Sequence, residues 1–246
     1  MTLADLMVTD WTTFAFASLV VALAALVQGS IGVGFGIVAA PILAVIDPVM
    51  VPGPLLVLAL GLAVLLAIRE RSQIRYGDLA SALAGRIPAS FLAGLVVGLL
   101  PPEQFLVIFA LMILAGVGLS LSGWRVEASK RNLFIAGTAS GFMGTITSVG
   151  APPMAIVYQN VAGPQMRATI AAYFTVGAAM SIAALAAFGA FDWHDLALSV
   201  KLIPAMAIGF AVSGLAARLV DKGYVRTGVL AICTLSAGLL LVKALW

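Results

Sequence analysis

The feature that most constrains this chain is the spacing of its charges. Marking every Asp, Glu, Lys and Arg leaves long neutral blocks at 11 to 46, 48 to 68, 79 to 102 (with Arg86 inside) and 104 to 124. The second half repeats the series at 132 to 166, 168 to 191, 196 to 217 (with Lys201 inside) and 227 to 242. Charge-free runs of this length span lipid, where a helix satisfies its own backbone. With 63% of residues hydrophobic and 9% charged, there is too little charge to cover a soluble surface. The expected fold class is an all-α polytopic membrane protein in a lipid bilayer. Asp5 and Asp10 precede the first apolar run without any Lys or Arg, so that run reads as retained rather than as a cleaved signal.

Each half runs as one very long block, one ordinary span, one span with a lone cation and one ordinary span. Gly29, Gly32 and Pro41 have counterparts at a constant offset in Gly141, Gly144 and Pro153; Arg86, Pro88 and Gly98 find counterparts in Lys201, Pro204 and Gly214, with small gaps between the two registers. An internal duplication follows, with repeats at 1–126 and 127–246 forming one transport domain. The long blocks overshoot a bilayer by roughly 20 Å if each is one helix. Each has a Gly-rich centre, GSIGVGFG at 29–36 and SGFMGTITSVGAPP at 140–153, so each is expected to be a broken-helix hairpin of two short arms.

Charge placement discriminates between topologies, because basic residues favour the cytoplasmic side. With two hairpins and an external N-terminus, Arg69, Arg71, Arg75, Arg125, Lys130, Arg131, Arg167, Arg218, Lys222 and Arg226 lie inside and only Lys243 outside. Eight simple spans send Arg167, Arg218, Lys222 and Arg226 outside. The expectation is therefore two inverted repeats, each a hairpin plus three transmembrane helices, with both termini external. The same distribution makes the net charge of +3 a topology signal rather than a nucleic-acid footprint.

Broken helices in inverted repeats place sites near the midplane, where helix ends and open backbone meet a solute. Near the breaks lie Gln28, Ser30, Gly32, Gly34, Gly36 and Pro41, and Ser140, Gly141, Gly144, Thr145, Thr147, Ser148, Gly150, Pro152 and Pro153. None of these carries charge, and neutral donors with helix N-terminal amides suit a small oxyanion. Any one of the glycines could instead serve close helix packing, as Gly94 with Gly98 and Gly137 with Gly141 would. Arg86 and Lys201 are the only ionisable residues well inside spans and have no intramembrane acid as partner, so an anion is the expected partner, against snorkelling to the nearer interface.

Other chemistries lack their residues. No Walker loop is present, so this chain has no ATP site. His194 sits in the acidic loop FDWHDL and Cys233 is the sole cysteine, which leaves no metal site, no disulfide, no cofactor and no catalytic constellation. Tyr158, Gln159, Asn160, Tyr173 and Thr175 could line a path or merely join helices.

GxGFG at 32–36 ending in Pro41, and SGFMG at 140–144 running to VGAPPMA at 149–155, resemble the TauE/SafE family of sulfite and organosulfonate exporters along nearly the whole chain. Ala151 stands where the family commonly has Gly before the double proline, and Thr145 to Ser148 replaces a richer glycine run, differences that bear on the width and hydrogen bonding of the second site. The resemblance implies a bacterial inner-membrane transporter moving small sulfur-containing anions, often outward. Alternating access between the repeats is the expected mechanism. A passive anion channel or a non-transporting membrane scaffold are the alternatives.

Overall fold

The computed structural model describes residues 11–124, 126–220 and 224–245. Ten helices follow one another there: α1 (Trp11–Ile31), α2 (Phe35–Ile46), α3 (Gly53–Arg69), α4 (Tyr76–Leu99), α5 (Pro102–Leu121), α6 (Lys130–Thr147), α7 (Ala151–Tyr158), α8 (Gly163–Ala187), α9 (Trp193–Val220) and α10 (Tyr224–Leu245). Among the described residues there is no strand, and six helical segments are long and apolar enough to cross a membrane. Their outward faces carry exposed Leu19, Leu23, Leu92, Leu111 and Ile208, an apolar coat that suits lipid and not water.

Both long neutral blocks break where the glycine clusters fall. Between α1 and α2, Gly32 and Gly34 take φ of 91° and 126°, a region closed to most side chains. Between α6 and α7 the turn is made by Ser148 at φ 62° and by Gly150. The arms are unequal, which corrects the expectation of two short ones. With 21 residues α1 is about 31 Å long, enough to cross a bilayer, whereas the 12 residues of α2 reach only about 18 Å. The second pair follows suit with 18 and 8 residues. Proline sets the restarts: Pro152 and Pro153 open α7, where no amide donor is needed. Pro41 lies inside α2, which leaves the Ile37 carbonyl without its helical donor. The thiol of Cys233 on α10 donates to that carbonyl at 2.9 Å.

The chain doubles back at these breaks. Arg69 Nη2, at the end of α3, donates to the Gly29 carbonyl near the end of α1 at 2.7 Å. Arg167 Nε, near the start of α8, pairs with Glu70 at 3.0 Å. Arg69, Glu70 and Arg167 therefore share one end of the bundle, which eight simple spans do not allow. Arg75, whose amide donates to Thr169 Oγ1 at 3.0 Å, joins them at this basic end. The side chains of Arg218, Arg226 and Lys243, and the whole of Asp5, Asp10, Arg125 and Lys222, lie outside the described residues.

Two helix pairs approach most closely, α4 with α6 and α1 with α9. Small residues allow it: a Cβ on Gly137 would meet the backbone of Ala82, and one on Gly209 the backbone of Ala22. Gly94 and Gly98 pack in the same manner against Ala184 of α8 and Phe188 just beyond its end. Behind these contacts, α3 lies on α8 and α5 on α10.

Candidate functional site

Arg86 sits midway along α4 and is 2% exposed. Two glycines make room for it. A Cβ on Gly141 of α6 would come within 3.0 Å of Arg86 Cα, and one on Gly177 of α8 would fall on Nε and Cζ. The hydrogen bonds of the guanidinium go to hydroxyls. Nη1 donates to Ser140 Oγ at 3.1 Å and to the Tyr173 hydroxyl at 3.2 Å, and Nη2 to Ser181 Oγ at 3.4 Å.

Those hydroxyls keep lone pairs for the cation because their own protons go elsewhere. Ser140 donates to the Gly150 carbonyl at 2.6 Å, Tyr173 to the Gly137 carbonyl at 3.3 Å, and Ser181 to the Gly177 carbonyl at 3.0 Å. Thr145 Oγ1 lies 2.8 Å from Ser181 Oγ, and each bond polarises the next. Faces of Tyr173 and Phe174 lie 5.0 and 5.6 Å from the guanidinium carbon and add cation–π attraction. Arg86 Nε has no hydrogen-bond partner among the described residues, and the three ion pairs of the described residues lie at the basic end rather than here.

Beside Arg86 is a cavity of about 40 Å³ lined by both helix breaks. Gln28, Gly34 and Gly36 come from the first, and Gly144, Ser148, Gly150 and Ala151 from the second. Leu56, Ala59, Phe174 and Ala178 close its sides, and Arg86 is its one charged residue. The N-termini of α2 and α7 both abut it, so two sets of helix amides and their dipoles add positive potential. Gln28 Oε1 accepts from the Phe35 amide at 2.9 Å and so fixes the first break. The two breaks touch, because a Cβ on Gly36 would fall on the Ser148 carbonyl oxygen. Ser148 Oγ donates to the Pro52 carbonyl at 3.1 Å, which ties the second break to the start of α3.

Gly34, Ile37 and Ala151 also line a larger, mostly apolar cavity of about 360 Å³. It extends past Pro152 to Trp124, Gln159 and Met166. Met166 precedes Arg167 in the chain, and Gly34, Ile37 and Ala151 are shared with the smaller cavity beside Arg86.

Not every residue singled out in the sequence reaches the cavity. Ser30 Oγ donates to Leu26 and Ser213 carbonyls at 2.8 and 2.9 Å and joins α1 to α9. Gly32 accommodates the Arg167 side chain, Pro41 is buried within α2, and Thr147 closes its own turn onto the Met143 carbonyl at 2.7 Å. Pro152 and Pro153 are buried in the first turn of α7. Lys201 is exposed on α9 and does not line the cavity, so the correspondence of Arg86 with Lys201 ends at sequence level. Conversely, Phe174, Gly177 and Ser181 were not singled out. Their signal was present: Tyr173, Gly177 and Ser181 recur every fourth residue and share one face of α8.

A helical bundle with broken helices meeting at a buried cavity is the architecture of a polytopic membrane transporter. The chain belongs to the sulfite exporter TauE/SafE family, whose family model matches residues 17–240. That is a family of membrane transporters for sulfur compounds and not of enzymes. No curated protein and no solved structure matches the chain.

Proposed function

We propose that the protein exports a small sulfur-containing anion, sulfite or an organosulfonate, across the bacterial inner membrane by alternating access between two inverted repeats. The observation that carries this reading is Arg86, buried in a cradle of neutral hydroxyls beside a cavity that both helix N-termini face. A permanent cation, converging amides and no competing carboxylate in the lining together select for an anion. The space is worth about three water molecules, the scale of a compact oxyanion head group.

Inverted repeats are supported by the way helix partners exchange between halves: α4 on α6 is matched by α1 on α9, and α1 on α2 by α6 on α7. Rocking of one half against the other about the Gly36 and Ser148 contact then exposes the cavity to either side. The end carrying Arg69, Arg75 and Arg167 faces the cytoplasm by the positive-inside rule, with both termini on the opposite side.

The test is binding and flux with purified protein, comparing sulfite, organosulfonates, carboxylates and chloride. Arg86→Ala is expected to abolish saturable sulfite binding while the folded fraction is retained. Unchanged affinity in folded R86A protein would remove Arg86 from the site and with it this reading.

A further inference from the structure

The hydroxyl cradle around Arg86 supplies dipoles but no countercharge. The described acidic residues, Asp47, Glu70, Asp78, Glu103, Glu127, Asp192 and Asp195, lie at helix ends and loops. Asp78 is the acid nearest to Arg86 along α4, about 12 Å away by helix rise, and it pairs with Arg75 at 3.1 Å. Because arginine does not release its proton, the cavity carries a fixed positive charge in every state of the transporter.

That charge is tolerable while the cavity is open, because bulk water and ions screen it. Once the cavity is closed on both sides, the screening is gone and the cation is left with neutral partners in a low-dielectric interior. A bound monoanion cancels it. Water filling the same space solvates but does not neutralise. The closed, empty state therefore lies well above the closed, loaded state. The cavity lining has no carboxylate that a proton or sodium ion could use to reset the balance.

Resting on the anion site proposed above, we propose that the protein is an obligatory anion exchanger. The cavity changes sides only when occupied, so outward passage of one monoanion is coupled to inward passage of another. The counter-substrate is a second small anion of the same charge, and the one-for-one cycle moves no net charge.

The experiment uses full-length protein in liposomes loaded with radiolabelled sulfite. Efflux is compared into unlabelled sulfite, into chloride and into gluconate, which is too large for the cavity. Exchange predicts efflux into unlabelled sulfite at least about tenfold faster than into gluconate. Arg86→Gln weakens sulfite binding, and because the empty cavity then carries no charge, the efflux that remains no longer needs a counter-anion and the ratio falls toward one. Gly118→Ala, where an added Cβ meets nothing within 4 Å, retains the ratio, and the wild-type comparison of the three media decides the case in which R86Q does not fold. Equal wild-type efflux into all three media overturns the exchange mechanism and leaves the transporter standing. No labelled efflux from folded protein under any condition overturns both.

Discussion

Gly177→Ala tests the cradle through a residue that contributes no polar side chain. The added Cβ falls on Nε and Cζ of Arg86 and within 2.7 Å of its Cδ. The backbone side of this contact cannot yield. Gly177 is held in the middle of α8, and the far side of Arg86 is closed by the Gly141 backbone of α6. The guanidinium must therefore leave its position, and its bonds of 3.1, 3.2 and 3.4 Å lengthen or break. Losing one to two charge-assisted bonds costs about 2–4 kcal/mol, against which helix propensity returns at most about 1 kcal/mol. Net losses of about 2 kcal/mol at the anion site weaken sulfite binding about thirtyfold. The assay is calorimetric titration of sulfite together with the melting temperature in detergent. Gly118→Ala is the control, since nothing lies within 4 Å of a Cβ there, and it is expected to leave affinity unchanged and Tm equal or higher. A folded G177A protein with wild-type Kd and Tm would refute the claim that α8 fixes the guanidinium.

Three further outcomes are expected. Gly36→Ala drives a methyl into the Ser148 carbonyl and should lower stability by about 1–3 kcal/mol, read as a drop in Tm, with loss of sulfite flux. Glu70→Gln leaves Arg167, which is 29% exposed, without its carboxylate, and a double-mutant cycle with Arg167→Gln should give a coupling of no more than about 1 kcal/mol. Lys201→Gln, on the exposed face of α9, should keep sulfite affinity within about twofold, and a tenfold loss would place Lys201 in the pathway after all.

Charge spacing and glycine placement carried most of the architecture. Both breaks fall inside the Gly-rich segments because only residues tolerating positive φ let a helix stop and restart within a few positions. The lengths of the arms were not legible, since nothing in an apolar run marks where lipid ends and protein begins. Arg86 was legible as a lone cation without an acid. Its partners were not, because Ser140, Tyr173 and Ser181 come together only after α4, α6 and α8 pack. Lys201 shows the limit of reasoning by repeat: an equivalent position two spans from a break still faces outward when its helix is rotated, and periodicity this weakly amphipathic does not reveal the rotation.

The contact between Gly36 and Ser148 also has an electrical meaning. The larger cavity brings open space as deep as Gly34, Ile37 and Ala151. Next to these residues lies the seam of Gly36 on Ser148 and Ser148 on Pro52. A membrane potential drops mainly across whatever insulating thickness remains, so the field concentrates in this seam rather than spreading over the whole bilayer. An anion moving past it travels about one helical turn, yet it meets most of a voltage worth about 2.3 kcal/mol per charge at 100 mV. A solitary hop is strongly voltage-dependent, whereas two like charges passing in opposite directions cancel.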